Sequence, residues 1–241
     1  MSAARALDLR PAEDGALDLT LAGEAARLLP SGGLLLAAHG VLVVADLHLE
    51  KGSAFAARGQ LLPPLDTRET LRRLAGDVEA QRPAAILFLG DAFHDRQASR
   101  RMSGEDRAAL EALSGSAELV WITGNHDPEP DAALPGRSAD EVRLGGLILR
   151  HEPQAGPRPG ELAGHLHPCA RIATPRGSVR RRCLVSDGER AVLPAYGAFT
   201  GGLNVLDPAF SGLFRGPPVV AALGDRRVHA AGMRSLRPDR S

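Results

Sequence analysis

Five apolar runs in this chain break off abruptly at side chains able to bind a cation. VLVVA (41–45) ends in Asp46-Leu47-His48, AAILFL (84–89) in Gly90-Asp91, and AELVWIT (117–123) in Gly124-Asn125-His126-Asp127. LILR (147–150) ends in His151, and ELAG (161–164) in His165-Leu166-His167. Each piece alone is ordinary, because Asn, Gly and Asp form turns and a lone histidine more often has a hydrogen bond than a metal. Together they constrain the fold. Such groups are costly to bury without a partner, and in α/β sheets ligands gather outside the carboxyl ends of strands, so residues far apart in sequence meet at one edge. In an extended segment the two-residue spacing of His165 and His167 turns both imidazoles to one side.

The runs themselves alternate with helical patterns. Residues 17–49 read as short strands, LDLTLAG, EAARLL, GLLLAA and VLVVA, the last two joined by a turn at His39-Gly40. Leu71, Leu74, Ala75 and Val78 recur at helical spacing behind Asp66-Thr67, a candidate cap, and SGEDRAALEAL (103–113) opens with a second cap signature. Strand, helix, strand, helix, strand is the grammar of an α/β class with parallel pairing. The second half instead carries Gly-Gly, Pro-Arg-Gly and Gly-Asp turns inside VRLGGLILR, RIATPRGSVRRRCLV and PVVAALGDRRVHA, which predict hairpins and a second, more antiparallel sheet. One domain over residues 1–235 is expected, with 236–241 a disordered tail.

Composition narrows the function. With 44% apolar residues the 241-residue chain can build a sizeable core, and its formal net charge of zero supplies no global field for a polyanion. Any contact with nucleic acid must be local. Lys51 is the sole lysine, and the remaining positive charge is arginine. Cys169 and Cys183 are too few for a disulfide framework and lack zinc-site spacing. The opening MSAARALDLRPAEDG has charges where a signal peptide needs an apolar stretch, and His39 and Asp46 interrupt the longest apolar region. A soluble cytoplasmic protein without a membrane partner is expected.

Asp46, His48, Asp91, Asn125, His151, His165 and His167 offer carboxylate, imidazole and amide donors but no thiolate. Seven donors exceed the needs of one ion. Two ions about 3.5 to 4 Å apart, bridged by a carboxylate, can clamp the attacking and leaving oxygens of an in-line phosphoryl displacement. Mixed nitrogen and oxygen donors suit Mn²⁺, Fe²⁺ or Zn²⁺, and ligand type alone does not choose among them; two divalent ions are expected, manganese first among the three.

In order, ADLHLEKG, LGDAFHD, TGNHDP, RHEP and AGHLHP resemble the calcineurin-like metallophosphoesterase superfamily over residues 46 to 167. ADLHLEKG, RHEP and the later LPAYGAFTGGL (193–203) are similar to the forms found in ligase-associated DNA damage response endonucleases. The resemblance implies a fold of two facing mixed β-sheets flanked by helices, in four layers. It implies one metal on Asp46, His48, Asp91 and His167 and a second on Asp91, Asn125, His151 and His165, with Asp91 as the bridge. The implied reaction is phosphodiester hydrolysis by a hydroxide activated between the two ions. His126 would be the general acid and Asp127 would orient it. Single-stranded DNA would be the substrate, with functional links to a DNA ligase and a helicase in repair. One departure is Pro128, where the family often has arginine.

Two rival functions share these motifs: a phosphomonoesterase or small-molecule phosphodiesterase, and a non-enzymatic scaffold on the same fold. The complete donor set and the retained His126 argue against the scaffold. His94 is a candidate neighbour of the phosphate, and Arg96, Arg100, Arg101 and Arg180 to Arg182 are candidates for a strand-guiding groove. The same arginines would also serve as a solvated face.

Overall fold

The computed structural model describes residues 7–60, 65–126, 131 and 133–239. Alternation in LDLTL turns Leu17, Leu19 and Leu21 inward and leaves Asp18 and Thr20 half-buried, as a strand with one covered face requires. VLVV is buried throughout, and so are all but the first residues of AILFL and ELVWI, as expected of parallel strands covered on both sides. These elements form an eight-stranded sheet in the order β1 (Leu9–Pro11), β2 (Leu17–Leu21), β3 (Glu24–Leu28), β4 (Leu34–Leu36), β5 (Val41–Val44), β6 (Ala85–Leu89), β7 (Glu118–Ile122) and β8 (Arg137–Ala139). Pairing is antiparallel up to β5 and parallel from β5 to β8. The parallel crossovers carry α1 (Lys51–Ala57), α2 (Asp66–Gln81), α3 (Ala98–Arg101) and α4 (Gly104–Ser116).

The second sheet has nine strands: β9 (Val142–Leu144), β10 (Leu147–Arg150), β11 (Glu161–Ala163), β12 (Cys169–Thr174), β13 (Gly177–Ser186), β14 (Ala191–Val192), β15 (Val219–Leu223), β16 (Val228–Gly232) and β17 (Leu236–Arg237). The three expected hairpins are present as β9–β10, β12–β13 and β15–β16. Among the described strands of this sheet only β10–β11 and β11–β14 run parallel, so both sheets are mixed.

Leucines from the inner faces of both sheets, among them Leu19, Leu34, Leu87, Leu149, Leu162 and Leu184, make one continuous core between them. A second core joins β5, β6 and β7 to α2 and α4 through Leu71, Leu74, Val78, Leu110 and Leu113. On the outer face of the second sheet, Val205, Phe210 and Leu213 from an irregular segment cover Val185, Val192 and Val220. That segment takes the place of the second helical layer in the implied four-layer arrangement. Its prolines and glycines, from Pro194 to Pro218, oppose helix formation.

Two local expectations are corrected. Asp66 and Thr67 do not cap α2, whose N-cap is Leu65 without a side-chain bond. Instead the Asp66 carboxylate accepts from the Gly52 amide at 3.2 Å, while Thr67 Oγ1 accepts from the Glu50 amide and donates to the Glu50 carboxylate. Their hydrogen-bonding capacity is thus spent tying α2 to the start of α1, a seven-residue helix that the sequence pattern does not announce. Residues 236–239 are not a loose tail: Leu236 and Arg237 pair with β12, and the Asp239 carboxylate holds Arg171 and Arg180. The α4 start is as expected, with Ser103 accepting from the Asp106 amide. Among the described residues no helix is long and apolar enough to cross a membrane.

Candidate metal centre

Beyond the ends of β5 and β6 the chain keeps pairing, but with left-handed backbone. Asp46, His48 and Glu50 alternate at φ 51°, 46° and 66°, and Asp91 has φ 45°. The amides of Asp46, His48 and Leu49 donate to the carbonyls of Gly90, Asp91 and Ala92. Leu47 and Leu49 therefore point into the core, while Asp46 and His48 face the opposite way. Gly90, at φ 76°, is needed where it stands, because a Cβ there would lie 2.3 Å from His151 Nδ1.

His165 and His167 also adopt left-handed φ values of 65° and 45° and lie outside any strand. This corrects the expectation of alternation in an extended segment. The two rings diverge. His165 Nδ1 lies 2.9 Å from Asn125 Oδ1 and 3.2 Å from His151 Nε2. His167 Nε2 lies 3.1 Å from His48 Nε2 and 3.4 Å from Asp46 Oδ1.

All seven candidate donors from five segments thus meet in one place. Asp46, His48 and His167 form one group able to hold a cation, and Asp91, His151 and His165 form another. Asn125 belongs to the second through Oδ1, 2.9 Å from His151 Nε2. Asp91 Oδ2 reaches both sides, 3.9 Å from His48 Nε2 and 3.4 Å from His151 Nε2.

The chemistry of these contacts fits a cation. A carbonyl only accepts, so His151 Nδ1 donates its proton to the Leu89 carbonyl at 3.1 Å. The neutral ring then turns a lone pair at Nε2 toward the oxygens of Asn125 and Asp91, an arrangement that needs a proton or a metal between them. Burial works against charge on His151, but the Asp91 hydrogen bond and charge outweigh it and raise the imidazole to about 9. Burial likewise opposes the Asp91 charge, yet the bond and charge of His151 hold the carboxyl at about 2. Burial, reinforced by His167, depresses His48 to about 3, leaving a neutral ligand-ready base.

His126 stands at the mouth of the centre and is exposed. Its amide donates to Asp91 Oδ1 at 2.9 Å, and its Nδ1 lies 3.0 Å from the His94 carbonyl. That carbonyl fixes the tautomer, leaving Nε2 directed at the site, 3.9 Å from Asp91 Oδ2. Asp127, expected to orient His126, lies outside the described residues. His94 belongs to the site: its ring stacks on that of His126 with centroids 5.9 Å apart. Sequence could flag it only by its closeness to Asp91.

The expected arginine groove is reduced. Arg101 is paired with Asp95, Arg180 with Asp239, and Arg182 donates to the carbonyls of Ala195, Tyr196 and Gly197. Arg96, Arg100 and Arg181 remain exposed. An open cavity of about 740 Å³ adjoins the second donor group, lined by Asn125, His151, Arg150 and Arg158 among others.

The model of the calcineurin-like phosphoesterase family matches residues 39–180 of this chain. Among solved structures the chain is similar to the nuclease MPE of Pseudomonas putida, with 28% identity and a TM-score of 0.68 over 90% of this chain and 100% of that one. It is also similar to the E. coli phosphoesterase Yfce, at 15% identity and a TM-score of 0.40, over 80% of this chain and 98% of that one. No curated protein sequence matches it.

Proposed function

This chain belongs to the calcineurin-like phosphoesterase family, and from that premise we propose that it is a metal-dependent phosphodiesterase, more narrowly an endonuclease that cuts single-stranded DNA during repair in the cytoplasm. The observation that carries the proposal is the convergence of two donor groups on the shared carboxylate of Asp91. Likeness to a nuclease over the whole length of that protein supports the choice of substrate.

Asp46, His48, Asp91 and His167 would hold one divalent ion, and Asp91, Asn125, His151 and His165 a second, with manganese the proposed occupant and Fe²⁺ or Zn²⁺ compatible with the same donors. Bound there, the pair supplies the positive charge that attracts a phosphodiester and lowers the pKa of the attacking water. The protein's own groups do the rest. Leu89 and His94 fix imidazole tautomers through their carbonyls, and the amides of His126 and His165 hold the carboxylates of Asp91 and Asp46 in place. As the P–O bond breaks, the doubly protonated His126 ring, its Nδ1–H held by the His94 carbonyl, would give its Nε2 proton to the leaving oxygen. In the cell a DNA ligase and a helicase would act on the same lesions.

The test strips the protein of metal, restores Mn²⁺, and supplies circular single-stranded DNA, duplex plasmid, and nitrophenyl mono- and diesters. Nicking of single-stranded circles is expected, with Asp91→Ala slower by at least about a thousandfold. Monoester turnover without DNA cleavage would move the assignment to a phosphomonoesterase. A wild type as inert as the variant would leave a scaffold.

A further inference from the structure

The segment LPAYGAFTGGL (193–203) follows β14 and borders the donor group of Asp46, His48 and His167. Its backbone is held from several sides. The Tyr196 and Gly197 amides donate to the carbonyls of Ala45 and Asp46 at 2.7 and 3.3 Å, and the Ala198 amide donates to Thr70 Oγ1 at 3.0 Å. Thr200 Oγ1 donates to the Gly197 carbonyl at 2.8 Å, and Arg182 grips the carbonyls of Ala195 to Gly197.

Both ends of this loop press on candidate ligand segments. A Cβ on Gly197 would lie 2.1 Å from the Leu47 carbonyl oxygen, and one on Gly202 would lie 2.0 Å from that of His167. The two aromatic residues of this segment part company. Tyr196 is buried with its hydroxyl donating to Asp77, whereas Phe199 is 46% exposed.

A single exposed apolar side chain needs no explanation on an ordinary surface. Phe199 differs in its setting, because its backbone is pinned beside the metal centre and its carbonyl accepts from Lys51 Nζ at 2.9 Å. Lys51 is the first residue of α1, three positions after His48, and its charge bears on His94, which stacks on His126. An exposed aromatic residue and a cation, joined through the Phe199 carbonyl, therefore lie together beside segments that carry candidate ligands. That pairing suits an unpaired nucleotide, whose base has a π-face and whose backbone is an anion. The fixed loop also reduces the ordering cost of forming the contact.

We propose that Phe199 and Lys51 form a subsite for a nucleotide flanking the scissile phosphodiester, the ring stacking on its base and the ammonium pairing with its phosphate. This inference rests on the nuclease reading and deepens it. Stacking on one aromatic side chain corresponds to about a tenfold preference for a strand that carries bases.

The experiment measures kcat/KM of the Mn²⁺-loaded protein on an oligothymidylate and on an abasic oligomer of equal length. The wild type should favour the oligothymidylate by about tenfold. Phe199→Ala should bring the two substrates close to parity, and Phe199→Trp, which keeps a ring, should preserve the preference. Lys51→Ala should weaken cleavage of both oligomers alike and shallow the salt dependence by about one phosphate contact. Circular dichroism melts check that the variants are folded at the assay temperature. Equal cutting of both oligomers by the wild type, or a full preference surviving in Phe199→Ala, overturns the subsite and leaves the nuclease assignment standing. A wild type that cuts neither oligomer overturns the nuclease assignment itself, and the subsite falls with it.

Discussion

Asp46, His48, Asp91, His165 and His167 all hold left-handed backbone, a conformation that costs a non-glycine residue about 1 kcal/mol or more. The fold bears this cost at five of the seven candidate ligands, as it also does at Ala22, Glu50 and Arg82. Two outcomes follow for single residues. In His126→Ala, turnover of a diester with an alkoxide leaving group should fall by about 10² to 10⁴, while a nitrophenolate substrate, which needs no acid, should lose far less. Equal losses, measured side by side, would remove the proton-donor role. His151 is raised to about 9 in the metal-free protein, so at pH 7.5 it carries a proton that must leave when a cation takes Nε2. Calorimetric titration with Mn²⁺ in two buffers of different ionisation enthalpy should therefore show release of about one proton, with affinity rising as pH approaches 9.

At the level of elements, strand ends position the chemistry, and buried polar contacts position the strand ends. β11, which leads into His165 and His167, begins at Glu161, whose buried carboxylate accepts from the fully buried Arg190 guanidinium. Arg190 also donates to the carbonyls of Gln154, Gly156 and Leu213, so one side chain ties β11 to two loops. Removing its counter-charge leaves a buried cation uncompensated. Glu161→Gln should lower unfolding stability by about 3 to 5 kcal/mol in urea titrations. Metal affinity should fall with it, because the histidines that follow β11 lose their footing. The same logic explains α2: Asp66 and Thr67 look like caps in sequence, yet buried amides near His48 take their oxygens first.

For the whole molecule, stability, pH and metal are linked through the same cluster. His48 is depressed to about 3, so below pH 6.5 the unfolded chain takes up a proton that the fold refuses, and stability falls with acid. His151, raised to about 9, contributes stability that is complete below pH 6.5 and lost as pH rises through 9. Asp91, held at about 2, contributes above its ordinary range and loses that contribution only as pH falls toward 2. The urea midpoint of the metal-free protein should thus peak near pH 6.5 and decline on both sides. Replacement of His48 by alanine should flatten the acid limb. Mn²⁺ at a hundred times its Kd should add about 2.7 kcal/mol, a rise of roughly 5 to 10 °C in Tm that Asp91→Ala abolishes.

The donor set, the parallel strands that carry it and the hairpins of the second sheet were legible because each is a short-range pattern. An apolar run of strand length ends in a polar group, and a turn residue sits between two runs. Convergence on one edge follows from α/β topology, so Asp46, Asp91, Asn125 and His151 could be assigned to one place before their distances were known. The resemblance implied which histidine joins which carboxylate, and tertiary structure supplied the reason, left-handed φ values at His165 and His167 that spacing does not encode. Tertiary structure alone decided that the His94 carbonyl fixes the His126 tautomer, that Arg182 is consumed by a loop, and that Phe199 is exposed where Tyr196 is buried. These outcomes depend on contacts between residues tens of positions apart, where hydrogen-bond competition and close packing override what any local pattern favours.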